Sequence, residues 1–485
     1  MWYDLAWETI RWFNYLVIGY YVVANGVYGV FVWSSIGLTV RHLIRIRYGG
    51  YGAIAEAQTT PPVSVLVPAY NEDVNIVQSV QALLNLNYPA HEVIVINDGS
   101  TDETLNRLIA EFQLRPVDLI YRRHLPTQPV RRFYTNPYIP GLTVLDKRHG
   151  GKADALNAGI NVARAPYFCS VDADSILEYD ALVRLVRPIV ESPDPNAIVA
   201  VGGIVRVVNG SEVRDGRVSK VALPRDALSM LQIVEYLRSF LVGRTGWGAW
   251  NSLLIISGTF SLFHKRTVLE AGGYDTGSVT EDMELVLRLH RVLLAKRRPY
   301  RIVFVQDPIC WTEAPTTLQM LARQRRRWHR GMVESLFVHR GMLFNPRYRQ
   351  IGWFAVPYHL FVESLGPVIE LGGYLVVGLS YAMGLVDVQF LMLFFTLAIL
   401  IGVFFSVSAI VLEEMSYRRY VRWRDFLRLI AYGVIENFGY RQLLAWWRLQ
   451  ALAQVITQRR WEYVAKRGFQ KKPAKPATAT GQERA

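Results

Sequence analysis

Three hydrophobic patterns divide the chain. Residues 12–40 (WFNYLVIGYYVVANGVYGVFVWSSIGLTV) carry no charged side chain. A helix needs about 20 apolar residues to cross a bilayer, so this stretch predicts one tilted span. It is too long for the core of a cleavable signal peptide, no basic region precedes it and no small-residue cleavage site follows. From residue 61, short apolar runs alternate with amphipathic stretches. VSVLVP (63–68), VIVIND (93–98), VDLIY (117–121), LTVLD (142–146) and YFCSVD (167–172) read as strands. Helices are expected up to about Leu86, over 102–113 and over about 152–163. That alternation predicts an α/β domain with a largely parallel sheet covered on both faces. Beyond residue 345 the chain turns apolar again. A span is expected at 366–384 after an interfacial approach carrying Glu363, and another at 388–412. Residues 426–457 are apolar but include Arg428, Glu436, Arg441 and Arg448 between basic flanks. They predict a helical hairpin lying in or dipping into the membrane interface.

The expected organisation is therefore an N-terminal transmembrane helix with a basic flank (1–47), a linker (48–60) and an α/β domain (61–345). An interfacial helix with two transmembrane helices (346–412), a membrane-associated hairpin (413–469) and a low-complexity disordered tail (470–485) follow. Residues 122–141 (RRHLPTQPVRRFYTNPYIPG) show neither strand nor helix period. They read as an inserted loop or as the border of a site.

Charge adds orientation. A net +14 over 485 residues would suit nucleic acid, but the positive side chains gather beside the apolar segments. Arg41, Arg45 and Arg47 follow the first; Arg418, Arg419, Arg422 and Arg424 follow a later one. Arg459, Arg460, Lys466, Arg467, Lys471 and Lys472 crowd the C-terminal end. Such flanks face the cytoplasm. The expectation is an inner-membrane, multi-pass protein with the N-terminus outside and the α/β domain in the cytoplasm. Its partners would be membrane lipids, not nucleic acid. Cys169 and Cys310 both lie in apolar runs and read as core thiols.

Ligands of open α/β sheets bind beyond the carboxyl ends of the strands, and three polar motifs fall there: PAYNE, NDGS and DAD. Asp172 and Asp174 are one residue apart at the end of an apolar run, and like charges so placed need a positive partner. If the strand persists, the two side chains share a face. All-oxygen ligands suit Mg²⁺ or Mn²⁺ completed by phosphate; the plain alternative is a solvated turn. Asp98 precedes a helix that Ser100 or Thr101 would cap. Lys152 opens a helix against its dipole, which makes sense beside an anion. Thr280 is the expected N-cap of a helix with Glu281 and Asp282 in its first turn. These are either dipole-complementing acids or the source of a general base. Gln324, Arg327 and Trp328 share one helix side, joining a phosphate-binding guanidinium to a stacking indole. ISGTFSLF (256–263) is a small-residue turn suited to close approach of a ligand.

The order of these motifs — D, D-x-D, T-E-D and Q-x-x-R-W over roughly 61–460 — resembles the membrane-bound family 2 glycosyltransferases. These are the cellulose, hyaluronan and poly-N-acetylglucosamine synthases, the last being nearest. The resemblance implies a GT-A, Rossmann-like domain inserted between transmembrane helices, and a UDP-sugar donor. It implies that Tyr70, Glu72 and Asp98 contact the uridine and that Lys152 sits near the nucleotide or donor sugar. Asp172 and Asp174 would hold the diphosphate through a metal, and Ser257, Gly258 and Thr259 would lie beside the acceptor. Asp282, with Glu281 beside it, would be the base. Gln324, Arg327 and Trp328 would border diphosphate and acceptor. The implied reaction inverts the donor sugar, building a β-linked polysaccharide. The alternatives are transfer of one sugar to a lipid acceptor, as in ceramide glucosyltransferases, and a non-enzymatic membrane receptor or assembly subunit. Three spans and an interfacial pair are few for a conduit, so secretion would call for a homo-oligomer or a partner subunit. RRWEYVAKRGF (459–469) resembles the loop that closes over donor in some synthases; a membrane-surface anchor is the alternative.

Overall fold

The computed structural model describes residues 2–49, 54, 60–384, 388–417, 420 and 422–457. Most of the expected linker, the 459–469 stretch and the expected tail lie outside them. The first strands are β1 (Val63–Ala69), β2 (His91–Asn97), β3 (Arg115–Val117), β4 (Val130–Thr135), β5 (Leu142–Lys147) and β6 (Tyr167–Val171). They are followed by β7 (Ile176–Leu177), β8 (Ile198–Val207), β9 (Glu212–Arg214), β10 (Arg217–Lys220), β11 (Phe260–His264) and β12 (Arg301–Thr312). Ten of them form one sheet in the order β3-β4-β5-β2-β1-β6-β11-β8-β12-β7, while β9 and β10 make a separate hairpin. Pairing directions place β1, β2, β3, β5, β6, β8 and β12 one way and β4, β7 and β11 the other. The sheet is thus mixed and mostly parallel. Its central strands are buried on both faces, as their unbroken apolar runs require.

The helices begin with α1 (Trp2–Gly49), α2 (Ile76–Leu84), α3 (Thr104–Glu111), α4 (Lys152–Val162) and α5 (Ala181–Val190). Next come α6 (Ala227–Tyr236), α7 (Thr245–Ala249), α8 (Lys265–Glu270), α9 (Glu281–Ala295) and α10 (Leu318–Val338). The last four are α11 (Gly366–Ala382), α12 (Val388–Ser416), α13 (Trp423–Ile435) and α14 (Tyr440–Thr457). Residues 237–244 wind as a π-helix between α6 and α7.

Two sequence expectations fail on the outer edge of the sheet. VDLIY is not a strand beyond Val117, which ends β3; Ile120 within it is fully exposed. Instead β4 lies inside the unassigned 122–141 stretch, antiparallel to β5. It is a near-edge strand whose charged residues face solvent, so it lacks the apolar run of its neighbours. The cap of α3 also differs. Thr101 donates its amide to Asn71 Oδ1 at 2.9 Å, and Ser100 accepts from the Asn71 amide at 3.1 Å. It is Asp102 that accepts from the Thr104 amide at 3.0 Å at the start of the helix.

Among the described residues, three stretches are long and apolar enough to cross a membrane: Trp7–Arg45, Ile351–Ala382 and Phe395–Ser416. At 48 residues α1 runs about 72 Å, more than twice the roughly 30 Å hydrocarbon core. Its first half meets α11, where Gly372 lies against Phe13. Its second half follows the π-helical stretch: Tyr28 Oη donates to the Arg238 carbonyl at 3.0 Å and Ser35 Oγ to that of Val242 at 2.9 Å. Leu321 and Ala322 of α10 pack on Tyr440, Leu444 and Trp447 of α14.

Candidate active site

The register of three strands gathers the polar motifs. Parallel pairing sets Ala69 of β1 beside Asn97 of β2, so Tyr70 and Asp98 emerge together. Antiparallel pairing sets Phe260 of β11 against Val171 of β6. The next residue on each side then meets its counterpart: the Asp172 amide donates to the Thr259 carbonyl at 3.2 Å. The 257–259 turn is thereby pinned against the acid that ends β6.

Asp98 is buried and organises the Gly-rich turn. Its carboxylate accepts from Lys147 Nζ at 2.5 Å and from the Gly150 and Gly151 amides at 3.0 and 2.7 Å. Lys147, itself wholly buried, also pairs with Asp154 at 2.6 Å. The turn carries His149, whose ring lies on that of Tyr70, with centroids 4.4 Å apart and planes 37° from parallel. Glu72 donates its amide to Thr104 Oγ1 at 2.9 Å, tying the PAYNE turn to α3.

Lys152 opens α4, and its ammonium is where distant motifs converge. It lies 2.6 Å from Asp172 Oδ1, 3.1 Å from Glu281 Oε1 and 2.9 Å from the Gly258 carbonyl. The sequence sought an anion for Lys152 and a cation for Asp172; within the protein each supplies the other. Burial alone would lower the lysine's pKa, but Asp172, then Glu281 and Asp282, push it up. Asp282 lies alongside. A Cβ on Gly258 would stand 3.1 Å from Asp282 Oδ2 and 3.5 Å from Lys152 Nζ, so only glycine leaves this contact unstrained. Burial first, then Glu281, raises the Asp282 pKa; Lys152, the Met283 amide and Arg244 pull it down.

The strand does not persist through the acidic pair. β6 ends at Val171, and a turn closed by the Ser175 amide on the Asp172 carbonyl at 3.0 Å carries both acids. Asp172 stays partly exposed, whereas Asp174 is buried. No group of three acids, histidines or cysteines suited to a metal occurs among the described residues. Two carboxylates without a third ligand fit a hard, oxygen-preferring ion completed by phosphate oxygens, not a protein cage.

Glu281 and Asp282 occupy the first turn of α9, as expected. Thr280 is at the N-cap, but its hydroxyl meets Ser335 Oγ of α10 at 3.4 Å and does not cap the helix. α10 carries Gln324, Arg327 and Trp328. The amide oxygen of Gln324 is buried without a hydrogen-bond partner among the described residues. Trp328 is partly exposed, and its ring lies 4.5 Å from the Arg325 guanidinium. Arg325 itself points inward to a bidentate pair with Glu235, at 2.8 and 3.0 Å.

Sequence reasoning missed Lys147, His149, Arg244, Glu235 and Arg325. Arg325 stands within a run of three arginines, and only the helix phase separates the buried one from its neighbours. Arg244 was detectable as a lone charge in the apolar FLVGRTGW. Its Nε and one terminal nitrogen are buried without hydrogen-bond partners among the described residues. Burial lowers its pKa to about 10, with Asp282 opposing.

Comparison with known proteins places this geometry. The profile of the family described as "Glycosyltransferase like family 2" matches residues 61–331. A poly-beta-1,6-N-acetyl-D-glucosamine synthase of Staphylococcus epidermidis is 29% identical over 286 residues, 58% of this chain and 57% of that one. The synthase of the same name from Staphylococcus aureus strain COL is 32% identical over 279 residues, 56% of this chain and 55% of that one. The chain thus spans a little over half the length of these relatives. Among solved structures, a mannosyltransferase from Pyrobaculum calidifontis in complex with GDP-Man and Mn²⁺ aligns over 86% of this chain and 99% of its own. Its TM-score is 0.47 at 17% identity.

Proposed function

The chain belongs to the glycosyltransferase-like family 2, and from that premise we propose that it transfers a sugar from a UDP-sugar to a growing β-linked polysaccharide, with inversion. One observation carries this reading: the Lys152 ammonium gathers Asp172, Glu281 and the Gly258 carbonyl at one point. Residues from four distant motifs meet there, with Asp282 in contact with the same glycine. The Tyr70–His149 ring pair offers a face for the base, held by the turn that Asp98 organises. Asp172 and Asp174 would hold Mg²⁺ or Mn²⁺ with the diphosphate. Such an ion supplies charge neutralisation to the departing nucleotide.

Asp282 accepts the proton of an acceptor hydroxyl as that oxygen bonds to C1 of the donor sugar. The C1–phosphate bond breaks, and its electron pair leaves with UDP. Lys152 favours the ionised form of Asp282, and Arg327 adds positive charge towards the diphosphate. One base and no enzyme nucleophile imply inversion. The three apolar helices would hold the protein in the inner membrane, N-terminus outside and catalytic domain in the cytoplasm.

Asp282→Asn is expected to lower transfer by about 10²–10⁴-fold while UDP binding, followed by calorimetry, stays near that of the parent. Near-normal transfer by this variant would remove Asp282 as the base. A second reading, transfer of one sugar to a membrane lipid, is favoured by a cavity of about 640 Å³ between α1, α11, α12 and the α13–α14 turn. Its lining mixes Asn14, Asn25, Glu370 and Gln442 with Phe395 and Phe438, which suits an amphiphile. Sizing the product made from labelled donor separates the two.

A further inference from the structure

We propose that a second, basic cavity, remote from the acidic site, binds the phosphate of an anionic membrane lipid. It lies between the C-terminal end of α9 and the segment leading into the Ile351–Ala382 span, and measures about 690 Å³. Arg297, Arg298, Arg347 and Arg349 line it with Asn251 and Gln350, and no acidic residue among the described ones does. Arg298 reaches Glu270 at 3.3 Å, but that carboxylate also takes Arg266 at 3.2 Å and Lys296 at 3.8 Å. Arg347 donates to the Ala295 carbonyl at 3.1 Å. Arg297 and Arg349 form no ion pair among the described residues. Four guanidinium groups around one cavity repel one another unless an anion joins them, and their planar forks match phosphate oxygens.

Backbone conformation at Arg349 points the same way. Arg297 (φ +53°) is the left-handed residue that ends α9, where its amide bonds the Leu294 carbonyl and that of Arg298 the Leu293 carbonyl. Arg349, with φ +47° and ψ −135°, stands in a region that arginine seldom adopts, and such positions persist where surroundings impose them.

The cavity's place selects a lipid over a soluble phosphate. Gln350 immediately precedes the candidate span and donates to the Trp250 carbonyl at 3.5 Å. Trp250, Trp353 and Phe344 are exposed close by in the chain, and tryptophans of this kind mark the membrane–water boundary. A headgroup phosphate can enter from there while its acyl chains stay in the bilayer. Basic pockets beside transmembrane helices are suited to such headgroups.

Native mass spectrometry of the full chain in detergent, titrated with phosphatidylglycerol or phosphatidylcholine, tests this independently of catalysis. Phosphatidylglycerol should bind preferentially. Arg297→Gly with Arg349→Gly should weaken it about tenfold, and glycine relieves the backbone at both positions, so misfolding is not built into the variant. Arg297→Gln with Arg349→Gln should give the same loss. Arg214→Gln with Lys220→Gln, which removes equal charge from the β9–β10 hairpin, should change little. The proposal is overturned if both lipids bind alike, or if the two arginine pairs bind like the parent. It is also overturned if only the glycine pair loses binding, or if inorganic phosphate displaces the lipid at comparable concentration.

Discussion

Asp282 must be ionised to take a proton, yet it is buried beside Glu281, and both influences raise its pKa. The acid limb of kcat/KM should therefore lie above the ordinary carboxylate range, since activity is lost as pH falls through the raised value. Lys152 and Arg244 act in the opposite sense, favouring the anion. Removing either positive charge makes the anion harder to form, so Lys152→Gln and Arg244→Gln should each move the limb to higher pH. Lys152→Gln should also lower the rate at the plateau, because Asp172 and the Gly258 carbonyl lose their shared partner. A pH–rate profile of each variant reads this directly. A limb that stays fixed or moves downward would show that a group other than Asp282 titrates there. Chelation tests the neighbouring acids: if Asp172 and Asp174 hold the diphosphate through a cation, transfer should collapse in EDTA and return with Mn²⁺ or Mg²⁺.

The contact between α9 and α10 rests on Gly331. A Cβ there would stand 2.3 Å from Thr280 Cγ2 and 2.5 Å from its hydroxyl, so the helices cannot approach as they do with any larger residue. Gly331→Ala should push α10 off the N-terminal turn of α9, costing about 1–3 kcal/mol of stability. Because Asp282 and Gln324 ride on the two helices, transfer should fall by about 10²-fold, read as kcat beside a thermal melt. A variant that melts earlier with unchanged kcat would sever this crossing from catalysis. Elements of this kind differ in how far the sequence discloses them. β1, β2, β5 and β6 were legible because strands buried on both faces must be apolar throughout. β4 was not, because its outward residues are charged and its pairing with β5 is set by the sheet, not by local pattern. The acid at the start of α9 was legible from Thr280 and the two carboxylates that follow. The meeting of Asp172 with Gly258 at Lys152 was not, because it depends on the register of β11 against β6. The buried partner in the arginine run required the helix phase and Glu235, ninety residues earlier.

Across the whole molecule, buried polar contacts fasten the glycosyltransferase domain to the long and C-terminal helices. Arg206 of β8 meets Glu413 of α12 at 2.6 Å, both almost wholly buried, with the Arg206 guanidinium 5.8 Å from the rings of Trp311 and of Tyr417. His42 of α1 reaches Asp307 of β12 at 2.9 Å. Glu235 of α6 holds Arg325 of α10 and accepts from Tyr440 Oη of α14 at 2.8 Å. The contacts of Glu413, His42 and Tyr440 each join the glycosyltransferase domain to a helix outside it, and Arg206 holds the last turn of α12 on the sheet. Desolvation makes such pairs costly to halve. Glu413→Leu leaves Arg206 charged, buried and alone, and should destabilise by about 3–5 kcal/mol. Arg206→Met together with Glu413→Leu removes both charges and fills similar volume, so most of that loss should return. Thermal unfolding of the three variants in one detergent makes the comparison. Recovery in the double variant would mean that the pair fixes where α12 docks and adds little net stability. A double variant as unstable as Glu413→Leu alone would mean that packing around Trp311 and Tyr417, not charge, holds the membrane helix to the catalytic sheet.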